Sequence, residues 1–250
     1  NTFFKKIRYK KKNNNEVTFY KFSEVNAEAL KKMIEPYIFE ADLDFDKDID
    51  ERYRWVPYLD DRSYYEEKER KLKEYMETFN SDVIINMLNS LANIAANYPG
   101  KNDEVVNYCK NKQLIVYCNF LKEVEYINSK MDCYVITGET SKIKRTETIE
   151  KFKNDTKPLV MTFGVGSYSL NLQFCNEIVF SSILFDYGKL EQSKYRIKRM
   201  DQNRDIKYRY FLTNLGINKF ILDNLERKQT LENLVKQKIM EEGEQWLKSI

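Results

Sequence analysis

The 250-residue chain contains no histidine. That absence excludes Ser-His-Asp and Cys-His nucleophilic catalysis, and every metal centre ligated by imidazole. No Gly-x-x-x-x-Gly-Lys-Ser/Thr run occurs either, so the glycine loop whose amides cradle nucleotide phosphates is missing. No Asp-Glu box follows a strand. Cysteine is sparse: Cys109, Cys118, Cys133 and Cys175 are widely spaced, and three of them fall in or beside expected core strands. This placement reads as buried free thiols rather than a zinc site or disulfides, and no metal site is expected. No apolar run approaches the roughly 18 residues of a membrane span, and no signal-peptide pattern opens the chain. A soluble cytoplasmic protein without a membrane partner is the expectation.

A dominant charge is lacking too. Lys and Arg number 42 against 39 Asp and Glu, and the net charge of +3 is well mixed along the chain. So small a bias does not by itself imply a polyanionic partner. Hydrophobic content of 42% and charged content of 32% are ordinary for a globular domain. The length suffices for one good core, with or without a helical appendage.

Of what is present, Gln192-Ser-Lys-Tyr-Arg196-Ile-Lys-Arg199-Met-Asp-Gln202 is the most informative. The spacing predicts a helix with Gln192, Arg196 and Arg199 on one face. Two guanidinium groups so placed suit a polyanion, because the planar fork stays charged and bonds phosphate oxygens bidentately. A solvated basic helix is the alternative for an isolated Arg-x-x-Arg.

The context upstream is a run of strand–helix alternations. Gln113–Cys118 is a near-continuous apolar run, the mark of a strand buried on both faces. A helix over Phe120–Lys130 follows, then a strand at Cys133–Ile136 and a helix at Thr140–Lys153 with Thr140 as N-cap. Further strands are expected at Pro158–Thr162, Glu177–Ser181 and Lys207–Leu212. Such alternation predicts an α/β fold, a parallel sheet flanked by helices, with ligands at the carboxyl ends of the strands. The Gly164–Ser169 loop follows one strand end and could bring amides against phosphate, though a plain turn explains its glycines as well.

Outside this core, Lys5–Lys12, Asn13–Asn15 and Glu16–Tyr20 read as a basic hairpin with an Asn turn, either a solvated sheet edge or a phosphate contact. The acidic run Asp42–Asp50 fails the calcium-loop template, having no glycine at the sixth position and no Glu at the twelfth, and reads as a solvated linker. Asp61–Phe79 predicts a charged helix, with Ser63 and Glu66 as a capping box. Val83, Ile84, Met87, Leu88, Leu91, Ile94 and Ala95 predict a core helix ended by Pro99-Gly100. Leu231, Leu234, Val235, Ile239 and Trp246 predict an amphipathic C-terminal helix that packs back on the core or covers a partner.

Taken in order, these segments resemble the C-terminal RecA-like lobe of a Swi/Snf-type ATPase of helicase superfamily II. Leu114–Phe120 looks like motif IV, and Ile136–Ser141 with Arg145 and Phe152 resembles the block that follows it. Thr162–Gln173 resembles motif V, and Phe185–Gln192 leading to Arg196, Arg199 and Gln202 resembles motif VI. The set covers about residues 112–225, and residues 1–100 more loosely resemble the family's linker. Departures are present. Gly166-Ser-Tyr-Ser169 keeps one glycine of motif V's usual run, Lys198 stands where His is common, and Glu40-Ala41 replaces an Arg-Arg pair. They are what a divergent member would carry, such as one encoded by a phage or mobile element.

The resemblance implies four regions: a linker with the basic hairpin at 1–60, a helical protrusion at 61–111, the RecA-like lobe at 112–228 and the C-terminal helix at 229–250. It places the missing phosphate loop in an N-terminal RecA-like lobe preceding residue 1, which would hold ATP and Mg²⁺. The chain is then expected to be a fragment that cannot hydrolyse ATP alone. Arg196 and Arg199 would act as arginine fingers on that ATP, and Gln192 would orient or sense the nucleotide. Asn119, Gly138, Thr140, Lys142, Gly164, Gly166 and Ser167 would hold the backbone of duplex DNA without reading its sequence. The rivals are a non-catalytic nucleic-acid or protein-binding module, and an RNA helicase or restriction-type motor of the same superfamily. Gln202-Asn-Arg204 resembles the Swi/Snf ending more than the RNA-helicase one.

Overall fold

The structure, a computed structural model, describes residues 4–10, 16–22, 28, 32–33, 47–59, 62–167, 170–199, 202–243, 245–248 and 250. The Asn13–Asn15 turn, the start of the acidic run, the segment holding Glu40-Ala41, and residues 168–169 and 200–201 lie outside them. The chain divides into two compact units, Asn1–Asp44 and Phe45–Ile250. In the first, β1 (Phe4–Lys10) and β2 (Glu16–Phe22) form the expected antiparallel hairpin, with Phe4 opposite Phe22 and Lys10 opposite Glu16.

The second unit is built on a six-stranded parallel sheet in the order β3-β8-β7-β4-β6-β5. Its strands are β3 (Ile49–Val56), β4 (Ile115–Cys118), β5 (Tyr134–Ile136), β6 (Leu159–Thr162), β7 (Glu177–Phe180) and β8 (Ile206–Thr213). Five match the expected strands. The edge strand β3 is additional, and it absorbs the end of the acidic run that reads as linker. Only Val56 of β3 is buried, so its sequence carries no apolar signal. Polar bonds hold it instead: Asp50 pairs with Arg209 of β8 at 2.6 Å, and the Asp48 amide donates to Asp205 at 3.2 Å.

Strict period-two alternation divides the sheet between two cores. Leu114, Val116, Cys118, Val160, Val179 and Phe211 face Val105, Val106 and Cys109 of α3 (Pro99–Cys109) and Val124 and Ile127 of α4 (Leu121–Lys130). Ile115, Tyr117, Leu159, Met161, Ile178, Phe180 and Tyr210 belong to the other core, with Phe152 of α5 (Lys142–Lys153), Leu190 of α6 (Tyr187–Lys194) and Ile197. On this second face Tyr53, Tyr210, Phe180 and Tyr117 occupy opposed positions on four adjacent strands. Their ring centroids lie 4.6, 4.7 and 5.9 Å apart, and Phe163 continues the row 5.1 Å from Tyr117. Cross-strand aromatic pairs of this kind fix register as well as burying area.

Residues 63–109 form three helices rather than a pair. In α1 (Ser63–Thr78) the expected capping box is absent: Arg62 is the N-cap and its side chain makes no capping bond, and the Ser63 hydroxyl meets that of Tyr58 at 3.1 Å. In α2 (Ser81–Ala96) Asn80 caps Asp82 at 2.9 Å, and Ile84, Met87, Leu88 and Leu91 are buried as their spacing requires. Pro99-Gly100 follows the end of α2 but also opens α3, with proline where a helix tolerates it. After α7 (Gly216–Arg227), the expected C-terminal helix α8 (Leu231–Glu242) buries Leu234 and Val235, and Trp246 stacks on Phe220 at 5.3 Å. All four cysteines are free thiols, and burial pushes Cys133 and Cys175 up to about 11. No helix among the described residues is long and apolar enough to cross a membrane.

The carboxyl ends of the central strands β4 and β7 are joined by a buried ion pair. Lys101 of α3 is 1% exposed and Glu123 of α4 is fully buried, with Nζ to Oε1 at 3.0 Å. Nζ also donates to the Ser181 carbonyl at 2.5 Å. The carboxylate accepts from the Ser181 and Ser182 hydroxyls at 3.0 and 2.7 Å, and from the Asn119 and Phe120 amides at 3.0 and 3.1 Å. Lys101→Met would leave this carboxylate buried without its cation, at an expected cost of about 3–5 kcal/mol. Urea denaturation followed by tryptophan fluorescence measures it, since both Trp55 and Trp246 report on this unit. A loss under about 1 kcal/mol, the value of an ordinary surface pair, would show that the amides and hydroxyls suffice.

Candidate functional site

Three connections leave the carboxyl ends of the adjacent strands β4, β6 and β5, and they carry the expected nucleic-acid contacts. After β4, Asn119 is half-buried, and its amide is held by Glu123 and by the Ser182 hydroxyl at 2.9 Å. Its backbone is therefore anchored.

After β5, residues 137–141 form a braced turn. The Thr140 hydroxyl accepts from the Thr137 amide at 3.0 Å, and buried Arg145 donates to the Gly138 carbonyl at 3.0 Å. Thr140 is thus a brace, and the N-cap of α5 is Ser141, one residue later than its sequence suggests. The cause is local: the Thr140 oxygen is occupied on the strand side. Gly138 and Lys142 are exposed.

After β6, residues Phe163–Ser167 make a tight 3-10 turn rather than an open loop. Phe163 and Val165 are buried pegs, and Gly164 is exposed between them. Gly166 and Ser167 lie on the same turn. Neither Gly138 nor Gly164 has a positive φ, and a Cβ built on either meets nothing within 4 Å. The fold does not require glycine at these two strand-end positions, and both leave the surface open to a closely approaching backbone.

The arginine segment is not the continuous helix that its spacing predicts. Helix α6 ends at Lys194, and tight turns follow: the Arg196 amide donates to Ser193 O at 3.2 Å and the Arg199 amide to Ile197 O at 3.1 Å. Gln192 is exposed on the helix, whereas Arg196 and Arg199 are half-buried on the turn, so the three do not share a helical face. Tertiary contacts override the local preference. Ile197 is drawn into the core at 0% exposure, and the Arg196 carbonyl accepts from the Leu172 amide at 3.3 Å. Arg196 lies near the hydroxyl of Tyr117, whose ionisation is pushed up by burial and eased by that guanidinium.

Gln202, absent from the expected site residues, is 3% exposed and bridges this turn to residues 173–175. Glu123, which anchors Asn119, and its partner Lys101 carry no signal in the sequence, because neither sits in a pattern that marks a buried charge. A surface pocket of about 750 Å³ lies elsewhere. It is lined by Arg52, Arg54, Tyr108, Arg209 and Phe211 at the β3 edge, with none of the expected site residues in its wall. No group of three or more acidic or cysteine side chains among the described residues could hold a metal ion.

Comparison with known proteins bears on the fold. Residues 100–201 match the family described as the helicase conserved C-terminal domain. The chain is similar to the Sulfolobus solfataricus SWI2/SNF2 ATPase core domain at 15% identity and a TM-score of 0.60, covering 91% of this chain and 55% of that one. It is similar to the core from that organism in complex with dsDNA at 18% identity and a TM-score of 0.58, covering 90% and 55%. The chain therefore spans little more than half the length of either structure. No curated protein matches it. Residues 100–201 thus match the model of a helicase conserved C-terminal domain, and the chain has the RecA-like α/β fold of the ATPase core structures it is similar to.

Proposed function

We propose that this chain is the second lobe of an ATP-dependent motor that moves along duplex DNA. Its ATP and Mg²⁺ would be held mainly by an N-terminal RecA-like lobe, and Arg196 and Arg199 would complete that site. The observation that supports this reading best is the arginine turn itself. Two guanidinium groups stand on a segment fixed by main-chain bonds and by buried Ile197 and Gln202, not on a free helical surface. Preorganised charge of this kind stabilises a developing anion without reorganising at the moment of reaction. When bound, ATP supplies the phosphoryl group whose charge the arginines would neutralise, and Gln192, exposed on α6, would orient or sense the nucleotide.

On the nucleic-acid side, Asn119, Gly138, Lys142 and Gly164 would follow one strand's phosphates, with Gly166 and Ser167 on the same turn and Thr140 bracing its neighbour. Such contacts grip without reading sequence. A core lobe with this fold has been solved with dsDNA, which favours duplex DNA over RNA.

Arg196→Lys and Arg199→Lys keep the charge but lose the planar fork. In the protein with both lobes, kcat at saturating duplex DNA should fall by about 10³-fold or more, with ATP and DNA affinity changed much less. Normal turnover in both variants, with an unchanged melting temperature, would return these residues to a solvated basic segment.

The glycines test the DNA track separately. Gly138→Ala and Gly164→Ala should hold stability or raise it by about 0.4–1 kcal/mol, since neither Cβ meets an obstacle. Both should weaken DNA binding by the intact protein at every salt concentration without changing the steepness of its salt dependence, because no phosphate-neutralising charge is removed. Binding that is unaltered in both would take Gly138 and Gly164 off the track.

A further inference from the structure

We infer that Gln202 is a positioning residue, whose buried carboxamide fastens the arginine turn to the segment that continues the Gly164 connection, making the two a single mechanical unit. The inference rests on the arginine reading above and adds to it the part that sets where the guanidinium groups stand.

Its basis is the way the side chain is used. Nε2 lies 3.0 Å from Gln173 O, 2.9 Å from Cys175 O and 3.2 Å from Ile197 O, and Oε1 accepts from the Arg204 amide at 3.1 Å. A carboxamide has two N–H donors, and both are consumed by main-chain carbonyls of two different segments. Around it the same segments are joined by the Leu172 amide on Arg196 O at 3.3 Å, by Arg204 Nη2 on Phe174 O at 2.6 Å and by Asn176 Nδ2 on Asp205 O at 2.7 Å. The bonds fall on both sides of the arginines. Arg196 is tied directly, and Arg199 is held through its own carbonyl, which accepts from the Gln202 amide at 3.0 Å.

No other side chain of similar size replaces this one. Glutamate would set acceptor oxygens against carbonyls, and methionine would leave those carbonyls without a donor in a buried place. The segment 170–176 follows the Phe163–Ser167 turn in sequence, and these bonds join it to the arginine turn. The physical warrant is the set of hydrogen bonds between residues 172–176 and 196–205.

The test uses the protein with both lobes and Gln202→Met, with Arg204→Ala as a second variant. Arg204 is exposed, so its replacement removes the link to Phe174 without disturbing the core. Turnover and ATP KM are measured with saturating duplex DNA, well below each melting point, beside Arg196→Lys and Arg199→Lys. The expected result for Gln202→Met is a fall in kcat of at least about tenfold, as small misplacements of a catalytic group produce, with KM within about twofold. Amide hydrogen exchange should quicken in residues 171–176 and 196–199 and stay unchanged in β4 and β6. If Gln202→Met does not fold, Arg204→Ala must show the same pattern at smaller amplitude. Normal kcat in the folded variants, with the two Arg→Lys variants impaired, would overturn this inference alone. Normal kcat in the Arg→Lys variants as well would overturn the arginine reading beneath it.

Discussion

The Lys101–Glu123 ion pair is the constraint on which the geometry of the strand ends depends. Two opposite charges have been removed from water at the point where β4 and β7 lie side by side. This is also where the chain turns outward in opposite directions, β4 leading towards β5 and β7 towards β8. Crevices in parallel sheets form at such reversals, and here the crevice is filled by side chains. Desolvation makes a buried pair a poor source of net stability compared with apolar packing. What it contributes is a single arrangement. Each carboxylate oxygen is used more than once, so α3, α4, the Asn119 turn and Ser181-Ser182 cannot shift independently.

From that fixed centre the two sides of the sheet take different tasks. One face is closed by α3 and α4 over aliphatic residues and two thiols. The other carries the aromatic row from Tyr53 to Phe163, and the arginine turn lies on this side, with Ile197 in its core and Arg196 near Tyr117. Large flat rings resist rearrangement and leave few rotamers to a segment laid over them. The charged turn is therefore held by Ile197 in this core and by the bonds of Gln202.

What could be read from the sequence followed from burial. The four inner strands and β5 announce themselves because apolar residues fill them, as in Leu114–Cys118. Helix α2 does so through its spacing. β3 is silent because Asp50, Glu51, Arg52 and Arg54 satisfy the ladder and solvent at once, with ion pairs that no period reveals. The site divides in the same way. Arg196, Arg199 and the strand-end glycines stand in a recognisable order, yet their backbone does not follow their spacing. Ile197 and Gln202 make contacts with residues 172–175 that outweigh the preference for another turn of helix. Lys101 and Glu123 are 22 positions apart on two helices, each looking like a solvent-facing charge until the fold brings them together.

If Arg196 and Arg199 meet a nucleotide held on a second lobe, as proposed, their half-buried state would favour action by closure. A guanidinium partly withdrawn from water has lost some hydration during folding, so a phosphate arriving from a second lobe displaces less solvent than it would at a free surface. Such a group favours a partner that brings charge into the same low-dielectric gap, and discriminates little among ligands that remain in water. A nucleotide bound to this lobe alone would stay largely solvated and gain little from it. On the proposed reading, the same arrangement would disfavour engagement of an open form and strengthen the contact once the gap closed, so that the arginines would respond to lobe position more than to nucleotide concentration.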